Sequence, residues 1–460
     1  MSSSTLASTP DEAAFLEWFT SNGGTVHPAV GFKQWEGQGR GCVALQDIEP
    51  DTVLFSIPRS ILLTTSTSAL PSLLPAEEWS QLGGWTPLIL SMMYEYLRTS
   101  TWRPYFALLP TQFDSLMFWS EEELAELEGS NVLSKIGREE ADEIYQETVR
   151  PLVEKHADVF GGDLGDYSAE LFHRMGSLVL SRSFHVDSKP ETEDGDEDED
   201  SDDEEEERED VADVAMVPFA DILNAKSGAD NARLFYEPTT LNMMSTSHIP
   251  AGTQIYNTYA DPPNSDLLRR YGHVDELNDA DLVEVGLETV VDLVGEAKGL
   301  KESEREARAE WLLEMGVDDT YSIETDHKLP DELISAIRTF LLTSEEYAKA
   351  QKKESPPKPR MDGQVAEWAR KVLDQRLGEY KTSIEEDEKL LQDTSLPLRR
   401  RMAIIVRLGE KRILQGARAN LDADFPEGKA EPPKEKKRAR AGGEGGGSGG
   451  KEGRKKKAKQ

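Results

Sequence analysis

Apolar residues recur with a helical period in several parts of the chain. Between residues 85 and 97 they occupy i, i+3, i+4 and i+7 positions, which form one apolar stripe that faces a core. Residues 11–21 show the same spacing after the capping-type residues Thr9 and Asp11. We therefore predict a helix in each segment.

Two other segments have short apolar runs that are separated by a turn. Residues 42–45 and 53–57 flank Pro50 and Asp51, which favour a turn, so the pattern predicts a strand pair. A second strand-turn-strand unit is predicted over residues 241–259, and its turn echoes the first one.

The pattern becomes helical again after about residue 290. Helices are predicted at residues 332–342, 365–377 and 398–414, with Pro-rich and charged linkers between them. The change from strands to helices places a domain boundary near residue 285.

Composition narrows the class of protein. The 460 residues include 88 acidic and 52 basic ones, and the net charge of −36 argues against a general nucleic-acid binder. The single cysteine, Cys42, excludes a disulfide framework, and no metal-type spacing of His and Cys predicts a metal site. Without a secretory leader pattern or an apolar run of about 18 to 20 residues, we expect a soluble protein that is not secreted and does not enter a membrane.

The charge is concentrated in two segments. Sixteen of the twenty residues at 191–210 are Asp or Glu, which predicts a solvated, disordered loop over residues 187–211. Residues 429–460 hold twelve Lys or Arg against four Glu, in a Gly-rich tail. Basic clusters at 434–440 and 454–459 fit a bipartite nuclear-import signal, although such tails also bind RNA or acidic partners nonspecifically. We expect a nuclear protein that is also found in the cytoplasm.

Residues 36–41, Glu-Gly-Gln-Gly-Arg-Gly, imitate the glycine fingerprint of nucleotide-binding open sheets. That fingerprint follows a buried parallel strand and opens a helix, whereas a strand-type run follows here. Glycines in such surroundings mark a close approach of the backbone to a ligand or to another backbone, or a simple bulge.

Several runs of residues, in this order, resemble one family. Residues 216–225 are Met-Val-Pro-Phe-Ala-Asp-Ile-Leu-Asn-Ala, and residues 257–274 include Asn-Thr-Tyr-Ala-Asp-Pro-Pro and Arg-Arg-Tyr-Gly-His-Val. Together with Gly39-Arg40-Gly41, they resemble the SET-domain protein-lysine methyltransferases. The subgroup is the one similar to the Rubisco large-subunit methyltransferase, and the closest likeness is to the fungal ribosomal lysine N-methyltransferase 4 type. Further runs carry the likeness at 22–28, 100–110, 180–184 and 407–414.

The resemblance implies an α+β fold. A β-rich SET domain at residues 11–285, with a helical insertion at about 65–175, would be followed by an all-α substrate-binding domain at 286–425. Residues 1–10 and 426–460 would be disordered.

The resemblance also implies S-adenosyl-L-methionine as the cofactor. Asn224 would hydrogen-bond its methionine moiety, and Ala225 would contact the adenine through its backbone. Most family members have His at that second position, which a backbone contact does not require. The full set of cofactor-binding residues would be Gly39, Arg40, Gly41, Arg182, Asn224, Ala225 and Tyr271.

Catalysis and substrate binding are implied in the same way. Tyr259 would be the tyrosine at the methyl-transfer centre. The lysine channel would be bordered by Trp102, Ser183, His185 and Tyr256. Each of these residues also has an ordinary alternative, such as a core aromatic for Tyr259 or a surface histidine for His185.

The partner implied is a basic protein, and the resemblance points to one from the large ribosomal subunit. The acidic body suits such a substrate, because opposite charge speeds encounter at low salt. We expect a monomer that needs no direct contact with nucleic acid. Two other functions remain open at this point: a protein-histidine methyltransferase of the same architecture, and a non-catalytic acidic module that binds a basic protein.

Overall fold

The computed structural model of the chain describes residues 9–98, 100–186, 214–226, 228–258 and 260–426. The predicted catalytic Tyr259, the acidic segment 191–210 and the basic tail 429–460 lie outside the described residues. Within the described ranges, no helix has the length and apolar character that crossing a membrane requires.

Four of the five predicted helices begin and end within two residues of their predicted positions. The first has a reciprocal capping box, in which Thr9 Oγ1 accepts from the Glu12 amide at 3.2 Å and Glu12 Oε2 accepts from the Thr9 amide at 3.0 Å. The α-helices are α1 (Pro10–Ser21), α2 (Leu70–Leu73), α3 (Ala76–Trp79), α4 (Thr86–Leu97), α5 (Arg103–Phe106), α6 (Glu121–Leu124), α7 (Arg138–Ile144), α8 (Arg150–Lys155), α9 (Ala157–Phe160), α10 (Ala169–Arg182), α11 (Asn264–Asp266), α12 (Leu287–Val290), α13 (Glu302–Glu314), α14 (Asp331–Leu341), α15 (Ser344–Gln351), α16 (Gly363–Leu377), α17 (Ile384–Leu390) and α18 (Leu398–Asp424).

The strands of the described residues form four small sheets. Two sheets have four strands each, in the orders β1-β4-β9-β8 and β2-β3-β10-β7, and the pairs β5–β6 and β11–β12 form the others. The strands are β1 (Thr25–Val26), β2 (Val30–Trp35), β3 (Gly39–Ala44), β4 (Val53–Pro58), β5 (Ser183–His185), β6 (Val214–Met216), β7 (Asn224–Ala225), β8 (Ala232–Tyr236), β9 (Thr240–Ser245), β10 (Gln254–Asn257), β11 (Leu282–Gly286) and β12 (Thr320–Glu324).

The predicted strand pair at residues 42–57 is wrong in its pairing. Both strands exist, as β3 and β4, but β3 pairs with β10 and β4 pairs with β9. The two turns also meet, since Ile48 and Ile249 form an isolated bridge. The two strand-turn-strand units therefore interlock instead of closing as separate hairpins, and this brings residues 39–44 beside residues 254–257.

The C-terminal part is helical, as predicted, and contains one small sheet in addition. Strand β11 pairs antiparallel with β12, which the helical period did not indicate. Helix α18 continues ten residues beyond the predicted end at residue 414 and packs on α16 and β11. The fold class, a SET-type β-rich part followed by a helical part, is confirmed.

One apolar cluster joins the two parts. It combines Leu116, Trp119 and Leu127 of the helical insertion with Leu268 and with Met402, Ala403 and Val406 of α18. Leu268 lies in the π-helix Leu267–Tyr271, which ends at a predicted cofactor-binding tyrosine. Packing between the two parts therefore supports the π-helix that carries Tyr271.

Candidate active site

A cleft of about 580 Å³ collects most of the predicted cofactor residues. They come from four distant segments of the chain, which the interlocked sheets bring together. The predicted residues in its lining are Gly39, Arg40, Arg182, Asn224, Ala225 and Tyr271.

The glycine run forms the tip of the β2–β3 hairpin, where Trp35 is paired with Gly39. Gly39 has a φ of +72°, a backbone conformation that strongly favours glycine. A Cβ at Gly41 would lie only 2.7 Å from Asn224 Nδ2 and 2.8 Å from Gln254 Nε2. At Gly41 two side-chain amides, and not another backbone, make the close approach, so the predicted contact of this glycine with a ligand stays a prediction.

Asn224 is positioned by a parallel strand pair. Strand β7 pairs with β10, with Asn224 opposite Tyr256 and Ala225 opposite Asn257. The side-chain amide nitrogens of Asn224 and Gln254 are both buried and have no hydrogen-bond partner among the described residues. A buried donor without a partner costs about 1 to 3 kcal/mol, so two of them at one glycine indicate a place for a ligand acceptor.

Arg182 closes the cleft at the end of α10. Its Nη1 donates a short hydrogen bond to the backbone carbonyl of Asp221. The Asp221 carboxyl accepts from the Tyr105 hydroxyl at 2.6 Å. Burial raises the pKa of Asp221 to about 6, although Arg182 and Tyr105 oppose that shift. No local sequence pattern had indicated a role for Asp221 or Tyr105.

Arg40 lines the cleft and also holds its wall together. Its Nε pairs with the buried Glu12 at 3.0 Å, and its Nη1 donates to the Leu108 carbonyl at 2.7 Å. The guanidinium thereby ties α1 and the 108–110 segment to the glycine turn.

Tyr271 lies at the C-terminal end of the π-helix and faces the same cleft. The next residue, Gly272, has a φ of +74°, and a Cβ there would lie 2.6 Å from the Ser115 amide nitrogen. This close packing holds Asp114 and Ser115 against Gly272, the residue that follows the tyrosine. Burial lowers the pKa of His273, which also lines the cleft and is therefore neutral at pH 7.

The predicted substrate residues fall into two groups. Ser183 and His185 lie on β5, directly after Arg182, and Tyr256 lies on β10 opposite Asn224. Trp102 lies in the apolar core, where it is 5% exposed and its Nε1 donates to the Ile61 carbonyl at 2.9 Å. Ser183, His185 and Tyr256 thus lie close to predicted cofactor residues. Trp102 is instead packed in the apolar core.

Tyr259 lies outside the described residues, and its role stays a prediction. Its neighbours in the chain, Thr258 and Ala260, line a small cavity together with Ala225 and Asp275. Ala225 and Asp275 also line the large cleft, so this part of the chain borders the predicted cofactor site.

Part of the cleft wall comes from residues to which the sequence analysis gave no role. These residues include Leu108, Leu109, Pro110, Gln112, Phe113, Asp114, Ile222 and Val274. Residues 100–110 and 272–274 belong to runs that carried the family resemblance, which was the available signal. Their position in the wall depends on tertiary packing that no local pattern encodes.

Two family models match the chain. The SET domain matches residues 39–260, and the Rubisco LSMT substrate-binding domain matches residues 300–414.

Curated relatives match over long regions. Ribosomal lysine N-methyltransferase 4 of Saccharomyces cerevisiae is 33% identical over 286 residues, which are 59% of this chain and 57% of that protein. N-lysine methyltransferase SETD6 of Homo sapiens is 32% identical over 412 residues, which are 82% of this chain and 83% of that protein.

Among solved structures, Rubisco LSMT bound to sinefungin and monomethyllysine has the same fold. The TM-score is 0.68 at 22% identity, over 91% of this chain and 92% of the other. The sequence matches, the shared fold and the two domain models agree: the chain belongs to the SET-domain protein-lysine methyltransferases, in the subgroup with a Rubisco LSMT-type substrate-binding domain.

Proposed function

We propose that the chain is an S-adenosylmethionine-dependent protein-lysine N-methyltransferase whose substrate is a protein of the large ribosomal subunit. The observation that carries the enzymatic part is the pair of unpartnered amides of Asn224 and Gln254 beside Gly41. The named relatives are lysine methyltransferases, which favours lysine over histidine as the target.

The residues present fit this cofactor. A cleft of about 580 Å³ suits a molecule of nucleoside size, and the unpartnered Asn224 amide offers a donor for a carboxylate or carbonyl. Gly39 and Gly41 keep side chains out of the space that the ligand needs. Asn224 and Ala225 would hold the two ends of the ligand, with Tyr271 as an aromatic wall.

S-adenosylmethionine, when bound, supplies a methyl group on a sulfonium. The chain has to present a neutral amine, and the reference pKa of lysine near 10.4 makes deprotonation at pH 7.4 cost about 4 kcal/mol. A narrow channel with Tyr256 on its border, which leads to Tyr259 at the methyl-transfer centre as the resemblance implies, would lower that cost, because desolvation disfavours the ammonium form. Hydroxyl and carbonyl oxygens then orient the nitrogen lone pair, so that alignment provides most of the catalysis.

The proposed substrate is supported by charge and by the name of one relative. The chain has a net charge of −36, and a basic ribosomal protein complements that surface. The yeast relative is called a ribosomal lysine N-methyltransferase. We also propose a nuclear location, on the strength of the basic clusters at 434–440 and 454–459.

Transfer of a labelled methyl group into a cell extract tests the proposal. The wild-type chain should label one basic protein, and mass spectrometry should place the methyl group on a lysine. Tyr259→Phe should keep cofactor binding and lose most of the turnover, whereas the control Tyr236→Phe, at a half-exposed tyrosine of β8, should change neither. Unchanged turnover in Tyr259→Phe would remove that tyrosine from its role, and a methylhistidine product would contradict the lysine assignment.

A second experiment tests whether the acidic segment guides the substrate. Replacing residues 191–210 with a neutral Gly-Ser segment of equal length should raise KM and flatten its dependence on salt. A segment that acts only as a spacer would leave both quantities unchanged.

A further inference from the structure

A second cavity, of about 700 Å³, lies inside the helical insertion. It is bordered by α4, α7 and α10, and its wall combines apolar and polar side chains. The larger apolar side chains of this wall are Trp85, Ile89, Met117, Ile144, Phe172 and Leu180. A volume of a few hundred to about 1,000 Å³ with an apolar lining is typical of sites for small organic molecules.

Two residues of the lining each carry a buried polar atom that has no partner among the described residues. These atoms are Ser115 Oγ, in a residue that is only 4% exposed, and His173 Nδ1. The other ring nitrogen of His173, Nε2, lies 2.7 Å from an Asp142 carboxylate oxygen, and in a neutral ring this contact places the proton on Nε2. Nδ1 is left as an acceptor, so a ligand in the cavity would have to donate to it.

The two basic side chains at the rim are already paired. Lys135 pairs with Glu284 at 2.6 Å, and Arg269 pairs with Asp266 at 2.9 Å. The rim carboxylate of Glu140 is exposed to water. A charged ligand would have to compete with these pairs, whereas a neutral one would not.

We propose that this cavity binds an uncharged, largely apolar small molecule that carries one hydroxyl or amine donor. The apolar body would cover the wall formed by α4, α7 and α10, and the donor would satisfy His173 Nδ1, with Ser115 Oγ as the second polar partner. The site is separate from the cofactor cleft, since no residue lines both. Its test therefore does not depend on the methyltransferase activity.

Gly176 provides a way to fill the cavity. It lies on the α10 face that lines the cavity, and the nearest atom to a Cβ there is Ile89 Cδ1 at 3.5 Å, which is an ordinary contact. Gly176→Ala should fit without strain, and Gly176→Leu should extend its side chain into the space. Both changes replace a glycine inside a helix with a residue of higher helix propensity.

The probe is N-phenyl-1-naphthylamine, a neutral dye with one N–H donor whose fluorescence rises in apolar surroundings. Titrated into the full chain, it should bind saturably at one site. Gly176→Ala should bind within about twofold of the wild type, and Gly176→Leu at least tenfold more weakly. Absence of saturable binding to the wild type, or equal binding to Gly176→Leu, would overturn the proposal.

A second measurement uses only the wild-type chain and so does not depend on a variant that folds. In 1-benzylnaphthalene a methylene replaces the N–H of the dye, and this compound should displace the dye about fivefold more weakly than unlabelled N-phenyl-1-naphthylamine does, because it lacks one hydrogen bond. Equal displacement by both compounds would show that the donor is not recognised and would refute the polar part of the site.

Discussion

Buried polar groups are handled in opposite ways around Asp387, in the C-terminal helical part, and around Asn224, at the cofactor cleft. In the helical part, the fully buried Asp387 accepts hydrogen bonds from Arg407 at 2.7 Å, from Lys411 at 2.6 Å and from Thr382 at 3.0 Å. Burial alone would raise the pKa of Asp387, but these partners outweigh burial and lower it. This network is complete within the chain.

The cleft shows the reverse. The amides of Asn224 and Gln254 and one carboxyl oxygen of Asp221 are buried without a partner among the described residues. Burial dominates at Asp221 and raises its pKa. A complete network fixes a structure, whereas an incomplete one indicates a group that a ligand completes. The difference separates the part of the molecule that maintains shape from the part that binds.

The largest effect is expected from breaking the complete network. Asp387→Ala leaves Arg407 and Lys411 buried without their carboxylate, which should lower the free energy of unfolding by about 3 to 5 kcal/mol. Denaturant unfolding measures this loss. The control Glu388→Ala removes a carboxylate on the same helix that pairs with Arg412 at the surface, and it should cost less than about 1 kcal/mol. Equal losses of unfolding free energy in Asp387→Ala and Glu388→Ala would mean that the network around Asp387 does not stabilise the fold.

A smaller effect concerns pH and another buried carboxyl of the helical part. Burial raises the pKa of Glu410 to about 7, although Ser130 Oγ and the Tyr380 hydroxyl donate to it at 2.6 and 2.8 Å. The folded chain keeps this proton up to about pH 7 and the unfolded chain releases it near pH 4.5, so stability falls as pH rises through that window. The contribution of this group is on the order of 3 kcal/mol.

Glu410→Gln should flatten that fall, and urea unfolding between pH 4.5 and 7.5 checks it. Part of the slope should remain, because Asp221 and Asp281 have pKa values raised to about 6 by burial. The control Glu388→Gln should follow the wild-type curve. A Glu410→Gln curve parallel to that of the wild type would show that Glu410 titrates normally in the folded chain.

Adding a Cβ at Gly41 should weaken the binding of S-adenosylmethionine by about 1 to 3 kcal/mol. A Cβ in Gly41→Ala would lie 2.7 Å from Asn224 Nδ2, so the Asn224 and Gln254 amides would have to move. Calorimetric titration with S-adenosylmethionine measures the loss. Gly363→Ala, where a Cβ meets no atom within 4 Å, should bind the cofactor as the wild type does. Full affinity in Gly41→Ala would mean that this space is not used.

The smallest effect is expected from removing one unpartnered donor. Asn224→Ala should leave the free energy of unfolding almost unchanged, because its Nδ2 makes no hydrogen bond among the described residues. It should weaken S-adenosylmethionine about fivefold, which corresponds to one hydrogen bond. Thermal unfolding and calorimetry on the same sample check both. Lost stability with intact binding would identify Asn224 as structural.

Local sequence patterns predicted the elements of this fold better than their partners. The amphipathic stripe of residues 85–97 defined α4 closely, because packing and helical period agree there. Strands β3 and β4 were predicted, but β3 pairs with β10 and β4 with β9, through residues that are about 180 to 210 positions apart in the sequence. No local turn signal contains that information.

The same limit applies to the site. Gly39, Asn224 and Tyr271 were predicted through a family resemblance, and they line one cleft. Asp221 was missed because a single acid inside an apolar run gives no sign of its partner Tyr105, which is distant in sequence. The role of Tyr259 stays a prediction.

The central claim is that S-adenosylmethionine binds in the cleft and accepts the hydrogen bond that the Asn224 amide does not make within the chain. A crystal structure of the chain with S-adenosylhomocysteine tests it most directly. We predict that the ligand lies between the glycine turn and Tyr271, with an acceptor atom within hydrogen-bond distance of Asn224 Nδ2. A ligand bound elsewhere, or an Asn224 amide still without a partner in the complex, would contradict the account.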